Sequence, residues 1–378
     1  MEQCEKCMNC SSCGLKDSHS NMIECANFYP LNNMELRLCT DKEYKVYGGL
    51  FGAAIGDALG VPVEFMNRER VRKNPVKEMR GDGTHGVPIG TWSDDTSMTL
   101  CLVDALTQNV FDLQKLSNNF IDWYTKDYVF KSTERYFDIG GTTCDALHNM
   151  MIGDKPLIDC GSKGEKSNGN GSLMRILPIV YANVDMNLLE RIKLIEDVSS
   201  LTHGHLYSRF SCVFYVIFCS YLYKYKADKL ELFRKAKEFA YMIRPYYTKK
   251  EDWEEIEEEF RFILREDLPG SIVHEDDSYC TDVFISGKGY CLSTLKAAIW
   301  CLLTTNNYKD CVLKAVNLGY DTDTTACVAG GLAGTYYGFN AIPNKWVQLL
   351  ERNDYLLSLY TKFVDKQGTH KALLDEYI

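Results

Sequence analysis

The chain has 378 residues, of which 46% are hydrophobic and 25% are charged, and its formal net charge is −10. A chain of this length and composition can bury a large hydrophobic core, as soluble globular proteins do. The acidic balance makes nucleic acid an unfavourable partner for most of the chain. The chain begins Met-Glu-Gln-Cys, which does not resemble a secretory signal peptide, and we expect no membrane-spanning segment.

Residues 1–42 differ from the rest because they hold six of the sixteen cysteines, four of them at every third position: Cys4, Cys7, Cys10 and Cys13. This C-x-x-C spacing is typical of ligands for zinc or an iron–sulfur cluster. The second, distant pair of a zinc ribbon is not evident, so zinc (Zn²⁺), a cluster and a flexible, metal-free extension all stay open. The other ten cysteines are scattered through apolar segments, which favours reduced core cysteines in an intracellular, cytoplasmic protein.

From residue 43 to residue 378, apolar residues recur at three- and four-residue spacing, which predicts one compact, many-helix, all-α domain. The clearest predicted helices are residues 100–106, 113–124, 188–201, 230–243, 292–303 and 345–360. The most apolar run, 210–223, favours a buried helix because it is short for a membrane span and contains serines and tyrosines. Residues 245–290 interrupt the pattern and predict an insertion, in which the acidic run 251–259 forms a solvated helix face.

The first candidate site segment is residues 48–65, which read GGLFGAAIGDALGVPVEF. Small residues at Gly52, Gly56 and Gly60 recur at helical spacing, so another helix or a ligand can approach the backbone closely. Since glycine destabilises a helix, this face needs a compensating contact. Glu64 follows the predicted helix at a proline-led turn, and taken alone it is typical of an exposed loop.

Two acidic clusters are the strongest chemical signal in the chain. Residues 93–96 read SDDT and residues 321–325 read DTDTT, each before an apolar or small-residue run. Adjacent carboxylates repel unless a cation neutralises them, and two such clusters brought together by a fold can hold one or two hard cations such as Mg²⁺. The alternative is an N-cap aspartate at each of two helices. A cap needs one acidic residue, however, and each cluster has two.

Three further segments are rich in glycine or histidine. Residues 138–143 (DIGGTT) and 168–175 (NGNGSLMR) are glycine-rich turns that lead into predicted helices. Backbone N–H groups in such turns can bind a diphosphate, and Asn170 and Ser172 can add side-chain contacts. Residues 201–205 (LTHGH) hold two of the seven histidines. A His-x-His pattern alone fits either a surface turn or a ligand site.

Taken in order, these segments resemble the ADP-ribosylglycohydrolase family, the DraG-type enzymes. The matching stretches are GGLFGAAIGDALGVPVEF, GTWSDDTSMTLCLVDAL, FDIGGTTCDAL, GNGSLMRILPI, LTHGH and GYDTDTTACVAGGLAG. The resemblance covers about residues 44–345 and leaves out residues 1–42 and much of 245–290. It implies an all-α fold with a binuclear Mg²⁺ site, that is, two ions per active site.

The resemblance also implies roles for particular residues. The acidic motifs would supply the metal ligands, which here are Ser93, Asp94, Asp95, Asp321, Asp323 and Thr324. Glu64 would lie over the site, where it gates the metals or assists catalysis. Contacts to ADP-ribose would come from the glycine-rich loop formed by Gly169, Asn170, Gly171 and Ser172, with His203 near the nucleotide. Asp94 or Asp323 would act as the catalytic proton shuttle, and which carboxylate is base and which is acid stays open.

The activity implied is hydrolysis of the bond at the anomeric carbon of ADP-ribose, which removes ADP-ribose from modified proteins or related conjugates. Cleavage there builds oxocarbenium-like charge on the ribose. Arginine-linked ADP-ribose is the favoured substrate, because it is the substrate of several similar-looking family members; serine-linked ADP-ribose and O-acetyl-ADP-ribose belong to other branches, and the shared motifs do not name the leaving group. The alternative is a non-catalytic ADP-ribose reader that recruits partners through the cysteine-rich N-terminus. The expected partner is an ADP-ribosylated protein or conjugate, and the sequence does not indicate an oligomeric state.

Overall fold

The computed structural model describes residues 40–182, 186–247, 249–264 and 285–367. These residues form fifteen α-helices joined by turns and short 3-10 segments, and no β-strand occurs among them. The predicted all-α fold is therefore confirmed. The cysteine-rich segment with Cys4, Cys7, Cys10 and Cys13 lies outside the described residues, as does 265–284 of the predicted insertion.

The helices, in chain order, are α1 (Asp41–Gly60), α2 (Arg68–Lys73), α3 (Asp94–Leu106), α4 (Leu113–Thr125), α5 (Gly141–Ile152), α6 (Leu188–Ser200), α7 (Leu206–Lys224), α8 (Lys229–Met242), α9 (Lys250–Glu259), α10 (Arg261–Leu264), α11 (Cys291–Leu303), α12 (Tyr308–Val316), α13 (Thr322–Tyr337), α14 (Asn344–Leu349) and α15 (Asn353–Gln367). Five of the six predicted helices coincide with α3, α4, α6, α8 and α11. Helix α3 begins six residues before the predicted start at residue 100, because polar residues of the first acidic cluster form its first turn.

The sixth predicted helix, residues 345–360, is wrong as one continuous helix, since it divides into α14 and α15. The break contains Arg352, whose backbone is left-handed with φ of +53°. Next to it, the Glu351 N–H donates to the Gly90 carbonyl at 2.9 Å. The Glu351 carbonyl accepts from the Trp92 indole N–H at 2.8 Å. Contact with the segment leading into α3 therefore interrupts a pattern that local periodicity reads as continuous.

The small-residue face of α1 packs directly on α13, which confirms the prediction that it accepts a close neighbour. A β-carbon added at Gly52 would stand 2.5 Å from the Gly330 carbonyl oxygen, and one at Gly48 would stand 2.3 Å from that of Gly334. At the C-terminal end of this small-residue face, a β-carbon at Gly60 would stand 2.3 Å from the Asp323 backbone. This face thus places the end of α1 against the start of α13, where the second acidic cluster lies.

Two segments are long and apolar enough to cross a membrane, Asp41–Val63 and Leu206–Lys224, but 100% and 83% of their apolar windows are buried inside the protein. The predicted buried helix at 210–223 is thus confirmed and is 19 residues long. Trp253 and Ile256 of α9 are buried while its acidic residues mostly face outward, and the Trp253 ring contacts Phe210 of α7 at a centroid distance of 6.1 Å.

Candidate active site

The first acidic cluster is anchored by Asp57, a residue that sequence reasoning missed. Asp57 is fully buried near the end of α1. Its carboxylate accepts the N–H groups of Ser93 at 2.9 Å and Thr96 at 3.0 Å, and the Thr96 hydroxyl at 2.5 Å. These contacts hold the N-terminus of α3 against α1. The available signal was that Asp57 is the only charged residue in the otherwise apolar stretch 48–63.

Helices α3 and α13 bring the two acidic clusters into contact. The hydroxyls of Ser93 and Thr324 both donate to Asp95 Oδ2, at 3.1 and 3.2 Å. Asp95 and Asp323 are fully buried, yet Asp95 Oδ1 and Asp323 Oδ2 have no hydrogen-bond partner among the described residues. Buried polar atoms are normally paired, so two orphaned carboxylate oxygens are costly. A bound cation would supply the missing partner.

Two groups of carboxylates have the spacing of a cation site. Oxygens of Asp57, Asp95 and Asp323 lie within 4.8 Å of one another, and so do oxygens of Glu64, Asp321 and Asp323. The groups share Asp323, so they fit two neighbouring ions. Carboxylate and hydroxyl oxygens are the ligands that hard cations such as Mg²⁺ prefer. Asp95, Asp321 and Asp323, three of the four acidic residues predicted as metal ligands, therefore come together in groups that could bind metal, while Asp94 is in neither group.

The N-cap alternative does not account for these carboxylates. Ser93 is the N-cap of α3, and its hydroxyl accepts from the Asp95 N–H at 3.4 Å. Asp321 occupies the N-cap position of α13 but makes no side-chain capping hydrogen bond. Instead, Asp321 Oδ2 accepts from the side-chain amide of Asn170 at 2.8 Å. Asp323 Oδ1 accepts from the Thr324 N–H at 2.9 Å, in the first turn of α13, but this leaves Asp323 Oδ2 and the side chain of Asp321 without a capping role.

Crowding and burial disfavour the charged forms of these groups. Burial, reinforced by neighbouring carboxylates, raises the pKa of Asp94, Asp95 and Asp323 well above the usual range. Burial, with the charges of Asp138 and Asp321, raises the pKa of Glu64 to about 11. A bound divalent cation would counter these shifts, because it favours ionised ligands. The ionised carboxylates of this cluster therefore need a nearby positive charge to offset their burial and mutual repulsion.

The glycine-rich loop joins the cluster through Asn170. The Asn170 side-chain amide donates to Asp321 Oδ2 and to Thr294 Oγ1, both at 2.8 Å, and its N–H donates to the Gly289 carbonyl at 3.1 Å. The Asp321 N–H donates to the Gly287 carbonyl at 2.9 Å. Residues 287–289 fall in the stretch that the sequence analysis assigned to an insertion, so this contribution to the site was missed. No local sequence motif marks residues 287–289 as part of the site.

Ser172, the last residue of this loop, and His203 are both buried against the loop backbone. Ser172 is fully buried, and its hydroxyl accepts from the Ser199 hydroxyl at 2.9 Å. His203 is buried, with Nδ1 2.8 Å from the Thr202 hydroxyl. A β-carbon added at Gly171 would stand 2.8 Å from His203 Cε1. Burial and the Arg175 charge lower the pKa of His203 to about 3, so its imidazole is neutral. Both side chains support the loop.

Glu64 lies in a second, smaller cluster with two residues that sequence reasoning did not select as site residues. His85 Nε2 is 2.5 Å from Glu64 Oε2, and polar atoms of Glu64, His85 and Asp138 all lie within 4.8 Å of one another. Glu64 is only 3% exposed, so it is not the exposed loop glutamate that its position alone suggests. His85 and Asp138 stand in glycine-rich turns far from Glu64 in sequence, and only folding brings the three together.

Comparison with known proteins points to one family. The ADP-ribosylglycohydrolase family profile matches residues 39–372. The chain is 30% identical to ADP-ribosylarginine hydrolase Tri1 of Pseudomonas putida over 84% of this chain and 77% of that protein. It is 25% identical to ADP-ribosyl-[dinitrogen reductase] glycohydrolase of Rhodospirillum rubrum over 81% and 90% of the two chains. A solved structure titled ADP-ribosylglycohydrolase-related protein complex superposes with a TM-score of 0.66 and 25% identity, covering 86% of this chain and 99% of that one.

Proposed function

The chain belongs to the ADP-ribosylglycohydrolase family, as its motifs predict, and we propose that it hydrolyses the bond at the anomeric carbon of ADP-ribose. The observation that carries this proposal is the carboxylate cluster with its two orphaned, buried oxygens, on Asp95 and Asp323. Removal of ADP-ribose from arginine is the favoured reaction, because the relative with 30% identity is named an ADP-ribosylarginine hydrolase.

Two Mg²⁺ ions would be held by Ser93, Asp94, Asp95, Asp321, Asp323 and Thr324. When bound, these ions would fix the ribose hydroxyls and make a water molecule easier to deprotonate. The donor set supports this assignment, since it is made only of carboxylate and hydroxyl oxygens. The two carboxylate groups that share Asp323 support a pair of ions rather than one, and they add Asp57 and Glu64 to the carboxylates that lie near those ions.

The residues of the chain then have separate tasks. Asp94 or Asp323 accepts the proton of the attacking water, since both lie in the buried cluster. Asn170 fixes the orientation of Asp321 through the 2.8 Å hydrogen bond. The loop of Gly169, Asn170, Gly171 and Ser172 binds ADP-ribose through its backbone, with the neutral ring of His203 supporting it. Glu64 covers the site; a bound cation would favour its ionised form, whose negative charge would favour the oxocarbenium-like character of the transition state.

We propose a cytoplasmic location with an ADP-ribosylated protein or conjugate as partner. Nine cysteines lie in the described part of the chain, eight of them buried, and no disulfide joins any two of these nine. Free buried cysteines are usual in reducing compartments. The domain division, with a cysteine-rich extension at 1–42 and a hydrolase domain at 43–378, is part of the same proposal, although α1 begins at Asp41, two residues before that boundary.

The test is release of free ADP-ribose from peptides that carry it on arginine or on serine, in Mg²⁺ and in EDTA. We expect Mg²⁺-dependent release from the arginine conjugate in the wild type and none in Asp323→Ala. The matched control is Asp154→Ala, an exposed aspartate outside the cluster, which should retain full activity. Release from serine alone would reassign the linkage. Binding of both peptides with no release would support the non-catalytic reader instead.

A further inference from the structure

The segment 81–90 contacts the Glu64 turn at two points, one on the backbone and one on the side chain. The Thr84 hydroxyl donates to the Glu64 carbonyl oxygen at 2.7 Å. The next residue, His85, places Nε2 2.5 Å from Glu64 Oε2. Gly83 has φ of +71°, and a β-carbon there would stand 1.9 Å from the Pro62 carbonyl oxygen. The segment is therefore built to run directly against the turn that carries Glu64.

The His85 ring contacts two aromatic side chains. Its centroid is 5.8 Å from that of Phe65 and 5.1 Å from that of Phe137. Phe137 immediately precedes Asp138, whose polar atoms lie within 4.8 Å of those of His85 and Glu64. His85 thus stands where three loops meet, and its side chain is only 15% exposed. A ring packed in this way has little rotational freedom, so its nitrogen has a fixed direction.

The Glu64 carboxylate needs a hydrogen-bond partner because the neighbouring carboxylates repel it. Its carboxylate lies within 4.8 Å of oxygens of Asp321 and Asp323, and like charges at this distance push one another apart. A proton shared between His85 Nε2 and Glu64 Oε2 holds the carboxylate in place, whichever of the two atoms carries it. The Thr84 hydrogen bond fixes the backbone of the same residue, so the remaining freedom of Glu64 is small.

We propose that His85 is a positioning residue, which holds the Glu64 carboxylate over the site through the Nε2–Oε2 hydrogen bond. This inference rests on the proposed function and adds a residue that the metal-binding motifs do not include. Glu64 itself belongs to the carboxylate group with Asp321 and Asp323, so His85 meets the cation cluster through Glu64; among the described residues it makes no hydrogen bond to the aspartates of the two acidic motifs. The competing role is a ligand for a further metal ion with Glu64 and Asp138.

The kinetic test uses two substitutions of the same ring. His85→Phe keeps an aromatic ring between Phe65 and Phe137 but removes the hydrogen bond, while His85→Gln keeps a donor. We expect His85→Phe to lower kcat about 10–100-fold with KM nearly unchanged, as loss of a supporting hydrogen bond does, and His85→Gln to restore part of kcat. His148→Phe, the same change at an exposed histidine of α5, is the matched control and should retain wild-type kcat.

The decisive comparison is with Glu64→Gln. If His85 acts through Glu64, the double variant Glu64→Gln with His85→Phe should match Glu64→Gln alone within about twofold in kcat. If the fold-losses in kcat of Glu64→Gln and His85→Phe multiplied in the double variant, the proposal would be overturned. A wild-type kcat in His85→Phe would also overturn it. Loss of one equivalent of bound metal in His85→Phe, measured by elemental analysis after equilibration with Mn²⁺ or Zn²⁺, would show a metal ligand instead.

A second readout does not require turnover. The ring nitrogens of His85 give NMR signals that are identified by their loss in His85→Phe. Glu64→Gln should shift these signals while leaving those of His148 unchanged. No shift would disprove the contact even in an active enzyme. If the wild type released no ADP-ribose from any conjugate, the proposed function would fail while this measurement still decided whether His85 holds Glu64.

Discussion

Gly56 of α1 and Ala326 of α13 are in backbone-to-backbone contact: a β-carbon added at Gly56 would stand 2.0 Å from the Ala326 carbonyl oxygen. Gly56 directly precedes Asp57, which anchors the first acidic cluster, and Ala326 lies about one helical turn after Asp323 in the second. The separation of the two clusters is therefore set by how closely these two helices approach. A change at Gly56 should affect both stability and the site.

We expect Gly56→Ala to destabilise the protein by about 3 kcal/mol, because the added methyl group forces α1 and α13 apart. Thermal unfolding measures the effect. Gly141→Ala is the control, since nothing lies within 4 Å of a β-carbon there, and its midpoint should stay near that of the wild type. Equal midpoints for both variants would mean that the helices are not in close contact.

The orphaned carboxylates predict that cation binding stabilises the fold. Mg²⁺ at about 100 times its Kd should stabilise the wild type by about 2.7 kcal/mol, and EDTA should remove this gain. Asp323→Asn should be more stable than the wild type in EDTA, because a buried carboxylate without a partner is neutralised, and should gain little from Mg²⁺. Differential scanning calorimetry with and without Mg²⁺ gives all four values. An identical Mg²⁺ response in both proteins would argue against Asp323 as a ligand.

The two hydrogen bonds of the Asn170 amide predict that substitutions of Asn170 and of Thr294 have different effects on kcat. Asn170→Ala removes the donor to Asp321, and we expect kcat for ADP-ribose release to fall about 10–100-fold. Thr294→Val removes only the other partner of the same amide group, so its kcat should stay within about threefold of the wild type. Steady-state kinetics on an arginine-linked conjugate measures both. Equal losses would indicate that the loop as a whole, rather than the Asp321 contact, governs turnover.

His203 predicts a pH dependence of stability. Its pKa is about 3 in the folded protein because of burial, against about 6.5 in an unfolded chain. Below pH 6.5 the unfolded chain takes up a proton that the folded protein does not, so stability falls as pH falls. Between pH 6.5 and pH 5 this one group should remove up to about 2 kcal/mol.

His203→Gln should therefore lose less stability than the wild type over that interval, although it is less stable at pH 7.5 because the buried ring is lost. Urea unfolding of both proteins at pH 6.5 and pH 5 gives the comparison. The carboxylates titrate in both proteins, so the difference between the two curves isolates His203. Parallel curves would contradict a neutral, buried His203.

We expect the hydrolase domain to fold without the cysteine-rich segment. Deleting residues 1–39 retains Thr40, which forms the capping box of α1 with Glu43. We expect the shortened chain to fold and to keep its activity, whereas an insoluble product would show that the segment belongs to the core. Elemental analysis of both proteins shows whether zinc or iron is lost with Cys4, Cys7, Cys10 and Cys13, or whether the segment holds no metal.

The sequence alone was enough for features whose cause is local. The three- and four-residue spacing of apolar residues predicts α4 and α11 because helix geometry repeats at that interval. The glycines of α1 predict a close neighbour because only a close contact offsets their cost. The cation ligands that the acidic clusters indicate stay a prediction. The ordered motifs then identify the family.

Tertiary structure alone decided which distant residues share a contact. Asp57 reaches Ser93, Asn170 reaches Asp321, and His85 reaches Glu64. The break between α14 and α15 likewise follows from hydrogen bonds to Gly90 and Trp92. Each contact joins residues more than twenty positions apart, where no periodic pattern links them. Side-chain hydrogen bonds depend on distances of a few ångströms, and only the packing of α1 against α13 and of the loops around them sets those distances.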